Sequence, residues 1–291
     1  MTIRPLHKIV VFGVGLIGGS FALALRKAGA VREVVGFGRS AANLQQARQL
    51  GIIDRIGQDI AAEIGDADLV LLATPVGQMA ELMARIEPHL GAHTLVTDAG
   101  STKSDVVRDA YAQLGSKVAQ FVPAHPIAGA ELSGAAAAGE DLYVGKKVVL
   151  TPLPENPAHT VARVQAAWQA CGANIHVLTH AEHDAVFAAV SHLPHLLSFA
   201  LVHDLAQRGN RDLLLSFAAS GFRDFTRIAA SSPEMWRDIC LSNREALLTE
   251  LHSYIAELNR IGTALAAGDA ARLEQTFHAA SELRSSWTEN Q

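Results

Sequence analysis

Apolar and polar positions follow two different periods along the first 180 residues. Short uninterrupted apolar runs, typical of strands buried on both faces of a sheet, alternate with longer segments that have apolar residues every three or four positions, typical of helices. The apolar runs are KIVVFG, EVVGFG, DLVLLATPV, HTLVTDAGS, QFVPAHPIAG, KKVVLTP and NIHVLT. Strands that alternate with helices predict an α/β domain with a doubly wound parallel sheet.

The pattern changes after Thr179, where no further strand-like run occurs. From His180 to about Ser286 the apolar spacing is helical throughout. We therefore expect two domains, residues 1–179 and residues 180–291, of which the second is all-α. Its helices carry more apolar surface than a small domain can bury alone, which favours a dimerisation domain; a large monomeric core is the alternative.

The first apolar run has two interpretations. HKIVVFGVGLIGGSFALALRKAGA has a basic start and an apolar centre, as an export signal does. An export signal does not explain glycines at 13, 15 and 18, however. These form GxGxxG directly after a strand and at the start of a helix, the context of a Rossmann-type dinucleotide-binding turn. The nucleotide-binding interpretation is preferred because it accounts for every glycine.

Composition narrows the function classes. The chain has 291 residues, of which 49% are hydrophobic and 18% charged, and its formal net charge is -5. Nucleic-acid binding is not expected, because the chain is acidic and has no runs of basic residues to neutralise phosphates. No membrane association is expected either. Cys171 and Cys240 lie far apart without a CxxC motif. Two reduced cysteines fit a cytoplasmic protein with neither disulfides nor a thiolate metal site.

The glycine turn and the second strand predict the cofactor. Gly13 allows the tight turn, Gly15 lets the backbone approach a pyrophosphate, and Gly18 lets helix and strand pack closely. An NAD-binding site usually has an acid at the end of the second strand, where this chain has Gly38, followed by Arg39 and Ser40. Arg39 and Ser40 suit a 2′-phosphate, so NADP is predicted, with NAD or dual use possible. The expected cofactor-binding residues are Gly13, Gly15, Leu16, Ile17, Gly18, Arg39, Ser40, Thr74 and Pro75.

Four further stretches carry most of the remaining polar chemistry. They are TDAGSTK, AHPIAGAELSG, SHLPH and GFRDFTRIAASSPEMW. With the glycine turn and LLATPV, they resemble the prephenate/arogenate (cyclohexadienyl) dehydrogenase family over nearly the whole chain. The resemblance implies oxidative decarboxylation of prephenate to 4-hydroxyphenylpyruvate in tyrosine biosynthesis, with hydride transfer to NADP or NAD. Conversion of arogenate to tyrosine, or activity on both substrates, is the alternative that the resemblance leaves open.

The resemblance also implies roles for individual residues. His125 corresponds to the family's catalytic histidine, which accepts the hydrogen bond or proton of the substrate's ring hydroxyl, and Ser101 to the serine that orients it. Arg227 corresponds to the arginine that binds a substrate carboxylate. The other implied substrate-side residues are His195, Ser191, Glu131, Asp224 and Trp236.

Several alternatives stay open at this point. Ser101 could be the N-cap of a helix that starts at Thr102. The two histidines of HLPH could suggest a metal pair, but no carboxylate or cysteine ligand lies nearby in sequence, so no metal is expected. A reductase of β-hydroxyacids or imines would share the glycine turn and the helical second domain. A non-catalytic NADP-binding sensor would need the glycines but not His125, Ser101 and Arg227.

Overall fold

A computed structural model describes residues 5–129 and 133–289 of the chain. Contacts between residues divide the chain into two compact units, Met1–Arg244 and Glu245–Gln291, which are described separately below. In the described residues, the strands end before Thr179 and only helices follow. That a domain boundary lies at residues 179 and 180 stays a prediction.

Six parallel strands form the main sheet of the first unit. They are β1 (Leu6–Phe12), β2 (Val31–Phe37), β3 (Arg55–Ile56), β4 (Leu69–Leu72), β5 (Leu95–Asp98) and β6 (Phe121–Val122). Their order is β3-β2-β1-β4-β5-β6, so the direction of winding reverses between β1 and β4. A reversal of this kind opens a crevice beyond the carboxyl ends of the strands, where ligands of such sheets bind.

Helices cover both faces of this sheet, as the doubly wound prediction requires. They are α1 (Leu16–Lys27), α2 (Ala41–Gln49), α3 (Ile60–Ile64), α4 (Met79–Ile86), α5 (Ser104–Leu114) and α6 (Ala158–Ala170). One core packs Phe21 of α1 against Trp168 of α6 with ring centroids 4.6 Å apart. The other core contains Met83 of α4 and Val107 of α5. The predicted fold class is confirmed.

The last three strands form a separate sheet, which differs from the single sheet expected from the strand–helix alternation. They are β7 (Ala124–Pro126), β8 (Lys147–Leu150) and β9 (Asn174–Val177). β7 runs antiparallel to β8, and β8 runs parallel to β9. Pro123 has no amide hydrogen to extend the ladder beyond β6, and its carbonyl accepts instead from the amide of Thr151, 3.0 Å away. Alternation along the chain carries no information on which strands pair.

The first unit ends in five helices. They are α7 (His180–Phe187), α8 (Leu193–Ala206), α9 (Arg211–Ser216), α10 (Ser220–Thr226) and α11 (Pro233–Ser242). α7 begins with a capping box: the amide of Glu182 donates to Thr179 Oγ1 and the amide of Thr179 donates to Glu182 Oε2. A widened π-helical turn, Ala188–His192, joins α7 to α8 just before Pro194. Such turns relieve the missing amide of a proline and occur often at functional sites.

The helical segment His180–Ala206 is long and apolar enough to cross a membrane by length and composition alone. Two of its residues, His183 and Asp184, are buried within the first unit. Asp184 accepts hydrogen bonds from the backbone at the start of α5. The start of the segment is therefore packed against the start of α5.

Two long helices make up the second unit, α12 (Arg244–Ala267) and α13 (Ala270–Glu289). Gly268 ends α12 with a positive φ of 64°, which a glycine adopts without strain. Large apolar side chains on these helices stay exposed within the chain; they include Ile255, Leu258, Leu265, Phe277 and Leu283.

Candidate active site

The glycine turn lies between β1 and α1 and has no room for side chains at two positions. A Cβ on Gly13, whose φ is 94°, would lie 2.3 Å from the carbonyl oxygen of Ala73. A Cβ on Gly18 would lie 2.3 Å from the carbonyl oxygen of Gly13. Around Gly15, no described residue comes within 4 Å of the Cβ position, so this part of the backbone faces open space. The N-terminus of α1 therefore presents its amide groups to an anion.

A cleft of about 990 Å³ opens beside this turn. Its walls come from the glycine turn, from the segments after β4 and β5, and from the helices of the first unit. Ten residues predicted for the cofactor and the substrate line it: Gly13, Gly15, Leu16, Ile17, Arg39, Thr74, Pro75, Ser101, His195 and Arg227. One cavity thus joins the nucleotide turn to the polar residues of the helical segment.

The remaining predicted residues lie elsewhere. Gly18 is buried beneath the turn, and Ser40 is the N-cap of α2, where it accepts from the amide of Asn43 at 3.2 Å. Asp224 is exposed on α10 and is not part of the cleft wall. Glu131 lies outside the described residues. His125, Ser191 and Trp236 are also not part of the described cleft wall.

Asn43 helps to hold the glycine turn in place, a role that the sequence analysis did not predict. Its Nδ2 donates to the carbonyl of Val14 in the glycine turn, 2.7 Å away, and its Oδ1 accepts from the amide of Ala135 at 2.8 Å. This side chain joins the glycine turn to the segment that contains Gly134, another residue of the cleft wall. From the sequence, an asparagine in the first turn of a helix indicates only local capping, and not a contact with a distant segment.

The cleft fits a nicotinamide dinucleotide on two observations. The backbone at Gly15 faces open space, so a pyrophosphate can approach it closely. The hydroxyl of Thr74 is buried on the cleft wall and has no hydrogen-bond partner within the described part of the chain. A buried hydroxyl without a partner is costly, so a polar group of a ligand is expected to satisfy it.

His125 lies on β7, half-buried, and is paired with a second histidine. Its Nδ1 lies 2.8 Å from Nε2 of His183, and Phe187 packs against the ring with centroids 4.9 Å apart. Burial, and to a lesser extent the neighbouring His183 and Lys103, hold the pKa of His125 well below its ordinary value. The ring is therefore neutral near pH 7 and able to accept a proton.

A buried ion pair anchors the strand of His125 to the loop of Ser101. Lys103 and Asp98 are both fully buried, with Nζ and Oδ2 2.5 Å apart. Asp98 also accepts from the amide of Gly100 at 2.8 Å and from the amide of Ala124 at 2.9 Å. The carboxylate thus holds together the residue preceding His125 and the loop leading to the cleft. A charged residue at the end of an apolar strand was the sequence signal for this role.

Ser101 does not cap a helix, although that was one alternative. α5 begins at Ser104, and its first amides are capped from a distant helix by Asp184: the amides of Lys103 and Ser104 donate to its two oxygens at 2.8 and 2.7 Å. Ser101 is half-buried on the cleft wall. Between the two described residues Ser101 and His125 there is no hydrogen bond, so its orienting role stays a prediction.

His195 faces the cleft from α8 in a fixed orientation. Its Nδ1 lies 2.8 Å from the carbonyl oxygen of Ser191, and its ring stacks on buried Trp236 with centroids 3.7 Å apart. Burial lowers the pKa of His195, the carbonyl of Ser191 opposes this, and the positive charge of Arg227 lowers the pKa further. A carbonyl only accepts, so the proton of the neutral ring is on Nδ1 and Nε2 is an acceptor.

His192 is buried behind this pair. Its Nδ1 lies 3.1 Å from Nδ2 of Asn243 and its ring meets Trp236 edge-on. Burial lowers the pKa of His192 to about 4.

Comparison with known proteins places these residues in a family. A family model described as "Prephenate dehydrogenase, nucleotide-binding domain" matches residues 21–177, and one described as "Prephenate dehydrogenase, dimerization domain" matches residues 179–279. The chain belongs to the prephenate dehydrogenase family.

Individual members of the prephenate dehydrogenase family match over nearly the full chain. Prephenate dehydrogenase of Bacillus subtilis is 37% identical over 95% of this chain and 75% of its own length. Cyclohexadienyl dehydrogenase of Zymomonas mobilis is 34% identical over 95% of this chain and 94% of its own length. The crystal structure of prephenate dehydrogenase from A. aeolicus in complex with hydroxyphenyl propionate and NAD+ superposes with a TM-score of 0.91 at 34% identity, covering 97% of this chain and 99% of that chain.

Family membership confirms three predictions from the sequence. The chain is a dehydrogenase of the prephenate dehydrogenase family, its first part is a nucleotide-binding domain for a nicotinamide cofactor, and its reactant is a small molecule. The first apolar run forms β1 and α1 with the glycine turn between them, as the nucleotide-binding interpretation predicts.

Proposed function

We propose that this chain oxidises prephenate to 4-hydroxyphenylpyruvate and carbon dioxide in tyrosine biosynthesis, with NADP as the preferred hydride acceptor and NAD as the alternative. The observation that carries the proposal is one cleft lined by the glycine turn, Ser101, His195 and Arg227, with the strand of the neutral His125 tied to the Ser101 loop through Asp98. The named relatives, which act on the same class of substrate by their names, support it.

The cleft supplies a cationic group that suits a carboxylate. The guanidinium of Arg227 is on the wall, and a planar guanidinium binds a carboxylate with two hydrogen bonds. Nε2 of His195 is available as an acceptor next to it, backed by Trp236. Asp224 and Glu131 stay proposals from family resemblance, the first being exposed in the free chain.

His125 is proposed to act as the base. Bound nicotinamide would accept the hydride from the ring carbon that carries the hydroxyl. Nε2 of His125 would accept the hydroxyl proton as the carbonyl develops, and a ring that is neutral at pH 7 is ready for this. Release of the ring carboxylate as carbon dioxide makes the ring aromatic, so the step runs strongly downhill.

The preference for NADP rests on the end of β2. Arg39 lines the cleft and Gly38 brings no negative charge to this position. A Cβ on Gly38 would meet Leu44 at an ordinary 3.5 Å, so a side chain fits there. We expect Gly38→Asp to shift the ratio of kcat/KM values toward NAD by at least tenfold, since the new carboxylate repels a 2′-phosphate and binds a ribose hydroxyl. Gly38→Ala is the matched control; equal ratios in all three proteins would refute the preference argued from this position.

Arogenate is the second candidate substrate. It differs from prephenate only in carrying an amino group in place of the side-chain keto group, and the name cyclohexadienyl dehydrogenase of one relative covers both ring compounds. A non-catalytic NADP-binding sensor is the remote alternative, disfavoured by the joint presence of His125, Ser101 and Arg227 in the chain.

Initial rates at the absorbance band of reduced nicotinamide test the proposal directly. Prephenate and arogenate are each offered with NAD and with NADP, and with His125→Asn as the control for enzyme-dependent turnover. Turnover of prephenate supports the proposal, turnover of arogenate alone replaces the substrate, and no turnover by folded wild-type protein in any combination refutes it.

The chain is further proposed to act as a cytoplasmic homodimer through its helical domain, without nucleic-acid or membrane partners. The exposed apolar side chains of α12 and α13 and the matching of a dimerisation-domain model support this. Sedimentation equilibrium checks the mass; a monomer of 30.9 kDa at micromolar concentration would contradict it.

A further inference from the structure

Two side chains, His183 and Asp184, form a continuous line of hydrogen bonds behind the proposed base His125. Asp184 Oδ1 lies 2.9 Å from Nδ1 of His183, and Nε2 of His183 lies 2.8 Å from Nδ1 of His125. His183 is fully buried and Asp184 nearly so, whereas His125 is half-buried. The line therefore runs from the interior toward the partly exposed ring.

The hydrogen-bond partners assign where each proton sits. Burial by itself would raise the pKa of Asp184, but hydrogen bonds from His183, Ser104 and Lys103 outweigh it and lower the pKa to about 2. Asp184 is therefore an anion that only accepts. His183 is neutral, since burial lowers its pKa below the ordinary value more than Asp184 raises it. Its one proton must lie on Nδ1, toward the carboxylate, because the opposite tautomer would set two lone pairs against each other.

The same logic continues to His125. With its proton on Nδ1, His183 presents a bare Nε2, which can only accept. Nδ1 of His125 must then be the donor, and Nε2 of His125 is left unprotonated. The line thus has one direction, and its end is a lone pair on the ring atom that the proposed reaction uses as the base.

We propose that His183, held by Asp184, is a positioning residue that keeps His125 in the tautomer with a free Nε2 acceptor. The inference rests on the proposed function for its catalytic consequence, but the tautomer itself is a property of the free protein. A neutral His125 with its proton on Nε2 would be unable to accept a proton there, so losing His183 is expected to reduce turnover rather than binding.

Asp184 is unsuitable for the first test because it also caps α5, and its replacement could disturb the fold. His183→Phe keeps a ring of similar shape beside Phe187, whose centroid lies 4.5 Å from the His183 ring, and removes both hydrogen bonds. His183→Gln retains an acceptor oxygen at the position of Nε2, and is the rescue variant. His180→Phe, an exposed position one turn earlier on the same helix, is the matched control.

Two measurements test the proposal on the full-length protein. Nitrogen-15 NMR of the histidine side chains, with the His125 signals assigned by comparison with His125→Asn, reports which ring nitrogen carries the proton. We expect Nδ1–H in wild type, His183→Gln and His180→Phe, and a shift toward Nε2–H in His183→Phe. A wild-type ring protonated on Nε2, or an unchanged tautomer in His183→Phe, would overturn the proposal whatever the substrate.

Kinetics provide the second readout. In His183→Phe, kcat is expected to fall by about 100-fold, within the usual range for a misplaced general base, with KM changed less than threefold. His183→Gln should recover at least part of kcat, and His180→Phe should match wild type. A kcat within twofold of wild type in folded His183→Phe would overturn the positioning role. Failure of the proposed function would instead remove turnover from every protein and leave the NMR result intact.

Discussion

The buried pair of Lys103 and Asp98 makes the sharpest prediction about stability. Both side chains are fully buried, and the carboxylate is further held by the amides of Gly100 and Ala124. Lys103→Met keeps the length and apolar stem of the lysine but removes the charge. Asp98 would then be a buried anion with two backbone donors and no counter-charge. We therefore expect a large loss of stability and a disturbed loop at Ser101.

The magnitude follows from the burial. Removing one partner of a buried ion pair costs about 3–5 kcal/mol, and the two amides that remain place this case near the lower end, about 3 kcal/mol. Such a loss is a large part of the roughly 5–15 kcal/mol that stabilises a typical folded chain. At roughly 2–4 °C per kcal/mol for a chain above 150 residues, Tm should fall by about 10 °C.

Differential scanning calorimetry of three variants checks the reasoning. Lys27→Met is the control, because Lys27 pairs with Glu140 and Asp141 while about half exposed, and its loss should leave Tm nearly unchanged. The double variant Asp98→Asn with Lys103→Met should recover part of the loss, since no buried charge is left. A Tm of Lys103→Met within 2 °C of wild type would refute the view that this pair anchors the site.

Three further predictions follow from the site. His125→Asn should lower kcat by about 10²–10⁴-fold while NADP binding by calorimetry stays intact; unchanged turnover would exclude His125 as the base. Arg227→Ala should mainly raise KM for the substrate, and a loss of cofactor affinity instead would show that Arg227 serves the nucleotide. Stability should fall between about pH 6.5 and pH 4, because unfolded His192 takes up a proton at its ordinary pKa of 6.5 whereas burial lowers the folded pKa to about 4; the loss approaches about 3 kcal/mol. Denaturant titrations at pH 7 and pH 4.5 measure this, and His192→Asn, whose amide oxygen can still accept from Asn243, should reduce the dependence by the His192 share while His125, His183 and His195 keep theirs.

Much of the fold and of the nucleotide site was predictable from sequence because the physics there is local. Gly13 and Gly18 are required by contacts within one strand–turn–helix unit, so their spacing alone identifies the turn. Buried parallel strands need apolar residues on both faces, so β1, β2, β4 and β5 were evident as apolar runs. The short strand β3 and helix α3 were missed, since two and five residues are too few for a period to emerge.

The surroundings of His125 were not predictable in this way. Its partner His183 is 58 residues away, and Asp184 caps a helix 80 residues before it. Neither has a local signal, because a histidine followed by an aspartate near a helix start is equally typical of a solvated surface. The helical spacing of apolar residues predicted that His183 and Asp184 lie on a helix. Only the packing of α7 against α5 and β7 buried them in line with His125.

The amino-acid sequence by itself therefore determined the fold class, the glycine turn and the residue types of the cleft, all of which depend on spacing within a single element. The tertiary structure alone decided that β7 leaves the main sheet, that Asp98 ties the loop of Ser101 to the strand of His125, and which nitrogen of His125 is free. These features depend on hydrogen bonds between groups far apart along the chain, and a hydrogen bond has direction only once both partners are in place.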